Sequence, residues 1–200
     1  MLTHHSEEPL MRLLADQTRR GEVHGPVLAR AHREIGRLLA VDVARFIELE
    51  SVAIQHPTGA ATGVRMVPGS EPILVALMRA GLFLAEGVWE GLGGGSLVPH
   101  HAGVGDLSGV PVAGRLVVVI DSVINSGRSI RGVIQALLDR HCRRLVVVTL
   151  VGYRPTLEAM SVEFPDLDFI AARLSDHSYV GRSGTDTGSR LFGTETWGLE

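Results

Sequence analysis

Apolar and polar positions along this chain follow two periods, and the switch between them marks the elements. Leu116–Ile120 is an unbroken apolar run, largely β-branched, as in a strand buried on both faces. Asp121 is expected to end it. Beyond a short polar stretch, Ile130, Val133, Ile134, Leu137 and Leu138 recur at helical spacing, with Arg131, Gln135 and Asp139 opposite, which predicts a helix over 128–139. The same order recurs upstream: a strand at Pro72–Leu77, the turn Arg79-Ala80-Gly81, and a helix to about Glu90 that Gly91–Gly95 breaks. Further strands are predicted at 145–151 and 167–171, with a helix at about 155–163 between them. The N-terminal part reads as helices over 8–20 and 26–40, a strand from Phe46 to Gln55, and a turn or hairpin tip over 57–63. Residues 96–114 read as a short strand plus a mobile loop, and the chain beyond 172 as an irregular tail. Strands alternating with helices predict an α/β fold with a mainly parallel central sheet and right-handed crossovers.

Composition narrows the class. With 200 residues, 45% of them apolar, the chain suits one domain over 1–200: N-terminal helices to 45, a core over 72–172 and a tail over 173–200. Nineteen Lys+Arg against 22 Asp+Glu leave a net charge of −3, so no basic surplus points to nucleic acid. Cys142 is the single cysteine, which excludes an intramolecular disulfide or multi-thiolate metal site and suits a reducing, cytoplasmic setting. No apolar run approaches the roughly 18 residues of a membrane span, and the N-terminus lacks the regions of a signal peptide. The nine histidines show no metal-ligand spacing, and the pairs His4-His5 and His100-His101 are expected to be solvated.

The chemistry concentrates in the turns. Asn125-Ser126-Gly127-Arg128-Ser129 sits where a helix N-terminus presents free N–H groups, and the helix dipole there also favours an anion. It lacks the spacing of a Walker A loop and of the dinucleotide fingerprint. The bland alternative is that Asn125 and Ser126 merely cap a helix. Asp121 stands just upstream, at the carboxyl edge of the expected sheet, where open α/β folds place ligands. In Arg79-Ala80-Gly81 the glycine allows close backbone approach and the arginine adds a fixed charge suited to diphosphate oxygens. Its bland alternative is an ordinary turn with an exposed arginine.

Taken together these motifs resemble the uracil phosphoribosyltransferases. The layout D-S-V-I-N-S-G-R-S from Asp121 to Ser129 resembles the phosphoribosyl-diphosphate (PRPP) loop of type I phosphoribosyltransferases. The tail from Tyr179 to Thr194 is similar to the family's Y-x-x-P-G-x-G-D-A-G-D-x-x-F-G-T, with Tyr179, Asp186, Gly188, Phe192, Gly193 and Thr194 in register. Pro72–Leu82 resembles V-P-I-L-R-A-G-L, Pro165-Asp166-Leu167 resembles P-D-V, and Glu34–Leu39 resembles E-V-G-x-L-L. The resemblance runs in order along nearly the whole chain.

It implies a type I phosphoribosyltransferase-like fold with a short hood or tail for the base, and transfer of the 5-phosphoribosyl group from PRPP to uracil, giving UMP and diphosphate. Asp121 and Arg79 would be catalytic. Asn125, Ser126, Gly127, Arg128 and Ser129 would hold the 5′-phosphate, and Arg79, Ala80 and Gly81 the diphosphate. Tyr179, Val180, Gly184, Thr185, Asp186 and Thr187 would line the base. Mg²⁺ would be held through PRPP with no direct protein ligand, and a homodimer would form with the 26–55 region as a candidate contact.

The chain departs from the family pattern in the phosphate loop, along the tail and over residues 96–114. Arg128 replaces a glycine, Arg182-Ser183 replace Pro-Gly, Thr185 replaces a glycine and Ser189 an aspartate. Residues 96–114 lack the family's M-Y-R-x-E-E-T segment and hold no arginine or lysine. Two alternatives therefore stand beside uracil transfer: a phosphoribosyltransferase for another base, and a non-catalytic homologue that senses PRPP or a nucleotide.

Overall fold

The central sheet carries apolar side chains on both faces, which decides the layering. Along β6 (Leu116–Ile124), Val117 and Val119 enter one buried cluster, while Leu116, Val118 and Ile120 enter another. Two apolar faces require cover on both sides. The first is closed by α4 (Arg128–Leu138) through Ile130, Val133, Ile134 and Leu137, and by α5 (Arg154–Glu163) through Leu157 and Met160. The second is closed by α1 (Pro9–Arg19) through Met11, by α2 (Gly25–Val43) through Ile35, Leu39 and Val43, and by α3 (Leu82–Leu92) through Leu84, Ala85 and Val88. The structure, a computed structural model, describes residues 1–101, 107–179, 181 and 185–196.

Five more strands complete the sheet: β1 (Leu2–His4), β4 (Ile73–Leu77), β5 (Ser96–His100), β7 (Arg144–Tyr153) and β8 (Asp168–Ser175). Their order is β1-β8-β7-β6-β4-β5, with every neighbouring pair parallel. From β4 the chain crosses outward to β5, then returns to β6 and builds in the opposite direction. The order therefore reverses between β4 and β6, and a crevice opens there at the carboxyl ends of the strands. A separate antiparallel hairpin, β2 (Leu49–His56) with β3 (Gly59–Met66), forms its own two-stranded sheet.

Several expectations need correction. Asp121 does not end its strand: Asp121, Val123 and Ile124 still pair with Thr149, Val151 and Gly152, so β6 runs on to Ile124. Likewise β8 continues past Ala171 to Ser175 along β7. The segment 57–63 is mostly strand, since only Pro57 and Thr58 separate β2 from β3. The edge strand β1 went unread because three residues carry no period; pairing with β8 creates it. Within the supposedly irregular tail lies a helix, α6 (Thr187–Phe192), whose first turn is capped by Asp186: its carboxylate accepts from the Ser189 N–H at 2.7 Å. His5 is not simply solvated, because its Nε2 lies 2.6 Å from Oδ2 of the buried Asp42. Of the loop expected within 96–114, residues 102–106 lie outside the described residues.

Candidate active site

At the crevice between β4 and β6, three turns far apart in sequence meet. Arg79 follows β4, Asp121 lies near the end of β6, and Asp186 precedes α6; all three line one cleft of about 330 Å³. The β4 turn fits tightly. A Cβ at Gly81 would collide with the Ile120 carbonyl and stand 2.7 Å from that of Leu77, so this position excludes any side chain. The Ser122 hydroxyl donates to the Ala80 carbonyl at 2.7 Å and ties the two loops together. No local signal marks this role for Ser122, since only the third dimension brings the turns side by side.

Asp121 is half-buried, and burial pushes its carboxyl up to about 7, against the opposing pull of the Val123 and Ser122 N–H groups. Among the described residues no cation offsets that shift, and a positively charged ligand group would favour the ionised carboxylate. Arg79 is exposed. Its guanidinium reaches the Thr194 hydroxyl at 3.2 Å and the Ser189 hydroxyl at 3.3 Å, and stands 3.9 Å from Asp186. The arginine after β4 thus leans on the tail.

Gly127, in the left-handed region at φ 72°, is the N-cap of α4, and it has no side chain to cap with. The Ser126 hydroxyl, however, accepts from the Arg128 N–H at 3.4 Å, so the capping alternative is met in part. Arg131 braces it from behind, donating from Nη1 to the Ser126 carbonyl at 2.9 Å and from Nε to Glu163 at 2.8 Å. The Ser126, Arg128 and Ser129 side chains stay exposed at the start of α4. Asn125 turns toward the tail, its Oδ1 accepting from the Tyr179 N–H at 3.1 Å. Tyr179 and Thr187 line the cleft, Thr185 is exposed, and Val180 and Gly184 lie outside the described residues.

A second cavity, of about 350 Å³, opens beside the cleft and shares Val123, Tyr179 and Thr187 with it. A slip in the strand alternation creates its floor. Ile120 and Ala172 belong to the α1–α3 side, yet Ile124 and Leu174 belong to the α4–α5 side. Gly152 faces α5, where an added Cβ would collide with Leu157, whereas Val148 faces the other way. Even spacings that change face mean that period 2 slips once in each of β6, β7 and β8. The slip turns Val123, Val151 and Arg173, paired in one row across three strands, toward the α1/α2 side and into the cavity.

Basic side chains ring the far end of this cavity. His32 is buried and held down to about 4, chiefly by burial, so its neutral ring donates from Nδ1 to the Leu28 carbonyl at 2.9 Å. Arg190 donates to the carbonyls of Thr18, Arg20 and Val23 at 3.2, 2.7 and 2.6 Å, which fastens α6 to the N-terminal helices. Neither Arg173 nor Arg190 stood out in the sequence. An arginine following the apolar run 167–171 was the one available signal.

A parallel sheet whose reversal point sets a glycine–arginine turn beside a carboxylate and a helix-start loop has the architecture of the type I phosphoribosyltransferases. A family model described as uracil phosphoribosyltransferase matches residues 5–194, so this chain belongs to the uracil phosphoribosyltransferase family. A uracil phosphoribosyltransferase of Staphylococcus epidermidis is 31% identical, the match covering 81% of this chain and 84% of that protein. One from Thermus thermophilus is 28% identical over the same shares. Among solved structures, the AQ2163 protein from Aquifex aeolicus superposes with a TM-score of 0.77 at 18% identity, covering 96% of this chain and 98% of that one, which shows a shared fold.

Proposed function

We propose that this chain transfers the 5-phosphoribosyl group from PRPP to uracil, releasing diphosphate and UMP, as in pyrimidine salvage. The meeting of Arg79, Asp121 and Asp186 in one cleft carries this reading. In the reaction the C1′–oxygen bond to diphosphate breaks, the N1–C1′ bond forms, and uracil gives up its N1 proton. The ribosyl carbon becomes cationic on the way, so positioning and charge stabilisation matter more than a nucleophile. Asp121 lies beneath the ribose and offsets that charge. Arg79, with the Ala80 and Gly81 backbone, takes the diphosphate as charge builds on it. The N–H groups and hydroxyls of Asn125, Ser126, Gly127, Arg128 and Ser129 hold the 5′-phosphate. Tyr179, Val180, Gly184, Thr185, Asp186 and Thr187 form the base wall.

The described residues contain no cluster of three His, Cys, Asp or Glu able to cage a metal. The two carboxylates of the cleft fit a Mg²⁺ brought in with PRPP, and Asp121 and Asp186 would be the residues that face it. Bound there, the ion would neutralise diphosphate charge. The reading also carries a homodimer. Leu49, Ile54 and Val64 are exposed on the β2–β3 sheet and Val27 and Val41 on α2, around the 26–55 region. The lone Cys142 suits a cytoplasmic enzyme. Incubation with PRPP, Mg²⁺ and uracil should yield UMP and diphosphate in equal amounts. If neither appears, uracil transfer is wrong.

A further inference from the structure

The base-side cavity is larger than a bare pyrimidine ring needs: about 350 Å³ lies within the roughly 300–1,000 Å³ of sites that bury drug-sized ligands. It also ends on a charged wall. Arg173 occupies the third place of the row Val123, Val151, Arg173, so its Cα stands about two strand spacings, or ~10 Å, from the cleft residue Val123. Its Nε is buried and has no hydrogen-bond partner. Among the described residues no ion pair reaches its guanidinium. The other basic groups near it are committed: Arg19 is paired with Asp16 at 2.9 Å, Arg190 is held by three carbonyls, and His32 is kept neutral. A buried guanidinium donor without an acceptor is costly, and a planar carboxylate satisfies it in two parallel bonds.

We propose that the cavity is built for a pyrimidine whose ring bears a carboxylate pointing away from N1, with Arg173 reading that carboxylate. The inference rests on the transfer proposed above and names its base class. Ring geometry selects the position. N1 must face C1′ over Asp121, and ring carbon 6, adjacent to N1, then stays beside the sugar. Ring carbon 5 lies farther from the sugar, and the proposal sets that edge of the ring toward β8. Uracil-5-carboxylate is thus the matching probe, and uracil-6-carboxylate the mismatched one. The carboxylate takes no part in bond making: N1–C1′ forms, the C1′–oxygen bond to diphosphate breaks, and the N1 proton leaves as it does from uracil.

The test compares kcat/KM for uracil, uracil-5-carboxylate and uracil-6-carboxylate, with PRPP and Mg²⁺, in the wild type, Arg173→Gln and Arg173→Lys. The 5-carboxylate should exceed both other bases about tenfold or more. Arg173→Gln should lower its kcat/KM by about 10- to 100-fold, the size of a buried charge-assisted bond, mainly through KM. Arg173→Lys, which restores charge without the planar fork, should recover part of that loss. Uracil or the 6-carboxylate as the preferred base, or a 5-carboxylate-to-uracil ratio that Arg173→Gln leaves unmoved, would overturn the inference. If Arg173→Gln does not fold, the wild-type preference order decides. Should no base yield nucleotide, the transfer reading fails by itself. Calorimetry on the wild type then decides this inference: tighter binding of uracil-5-carboxylate than of uracil upholds it, and equal or weaker binding ends it.

Discussion

Asn125, the first residue after β6, accepts a hydrogen bond through its Oδ1 from the backbone N–H of Tyr179 at 3.1 Å. One bond thus couples the helix-start loop, which would hold the 5′-phosphate, to the tail, which would hold the base. Asn125→Ala removes the acceptor and leaves the Tyr179 N–H to water. A bond of this kind is worth about 1 kcal/mol. KM should rise about fivefold for PRPP and for the base together in steady-state kinetics. A change confined to one substrate would show that the loop and tail act independently.

Asp121→Asn should lower kcat by about 100-fold or more while the fold persists. The variant keeps the shape but not the charge offered to the ribosyl cation. Unaltered kcat in the diphosphate-release assay would remove Asp121 from the mechanism.

The same residue predicts a pH signature in the ligand-free protein. Its carboxyl titrates near 7 in the fold, against an ordinary value of 3.8, so folding takes up a proton between those values. Stability from this group is full below about 3.8, falls as pH rises through the window, and is flat above about 7. His32, held near 4 against an ordinary 6.5, acts in the opposite sense and weakens the fold as pH drops through that interval. Subtracting the Asp121→Asn profile from the wild type in urea denaturation isolates the Asp121 contribution, which should decline from pH 4 to 7.

Gly81→Ala places a methyl 2.7 Å from the Leu77 carbonyl oxygen and in collision with that of Ile120. Backbone must shift, at about 1–3 kcal/mol, and the Arg79 turn moves with it. Chemical denaturation should show the loss, together with a higher KM for PRPP.

Arg190→Gln breaks three bonds to the carbonyls of Thr18, Arg20 and Val23. Those bonds, with Leu191 packed beside Leu28 and the Phe192 ring 5.2 Å from that of Phe83, hold α6 in place. Hydrogen exchange in α6 should rise about tenfold or more while the central strands stay protected, since charged hydrogen bonds contribute about 1.5–3 kcal/mol each.

Where the code is local, the sequence is legible. Ile130, Val133, Ile134 and Leu137 placed α4 to within a residue, and the apolar runs placed β4, β6 and β7. The ends of strands read poorly, because Asp121 and Arg173 are polar residues whose strand state comes from pairing with Thr149 and Val151. The helix in the tail went unread for a related reason: Thr187, Gly188 and Ser189 are weak helix formers, and α6 depends on the Asp186 cap and on Leu191 packing against α2.

By itself the amino-acid order determined the alternation of strands and helices, the glycine turn ahead of α4, the arginine after β4 and the acidic residue near the end of β6. Each is written in neighbouring side chains and needs no distant partner. Only the tertiary structure decided that Arg79, Asp121 and Asp186 share one cleft, and that a one-residue slip aims Arg173 into a cavity beside it. Both depend on pairing between strands far apart in the chain, where register is set by the packing of whole faces and not by any single segment.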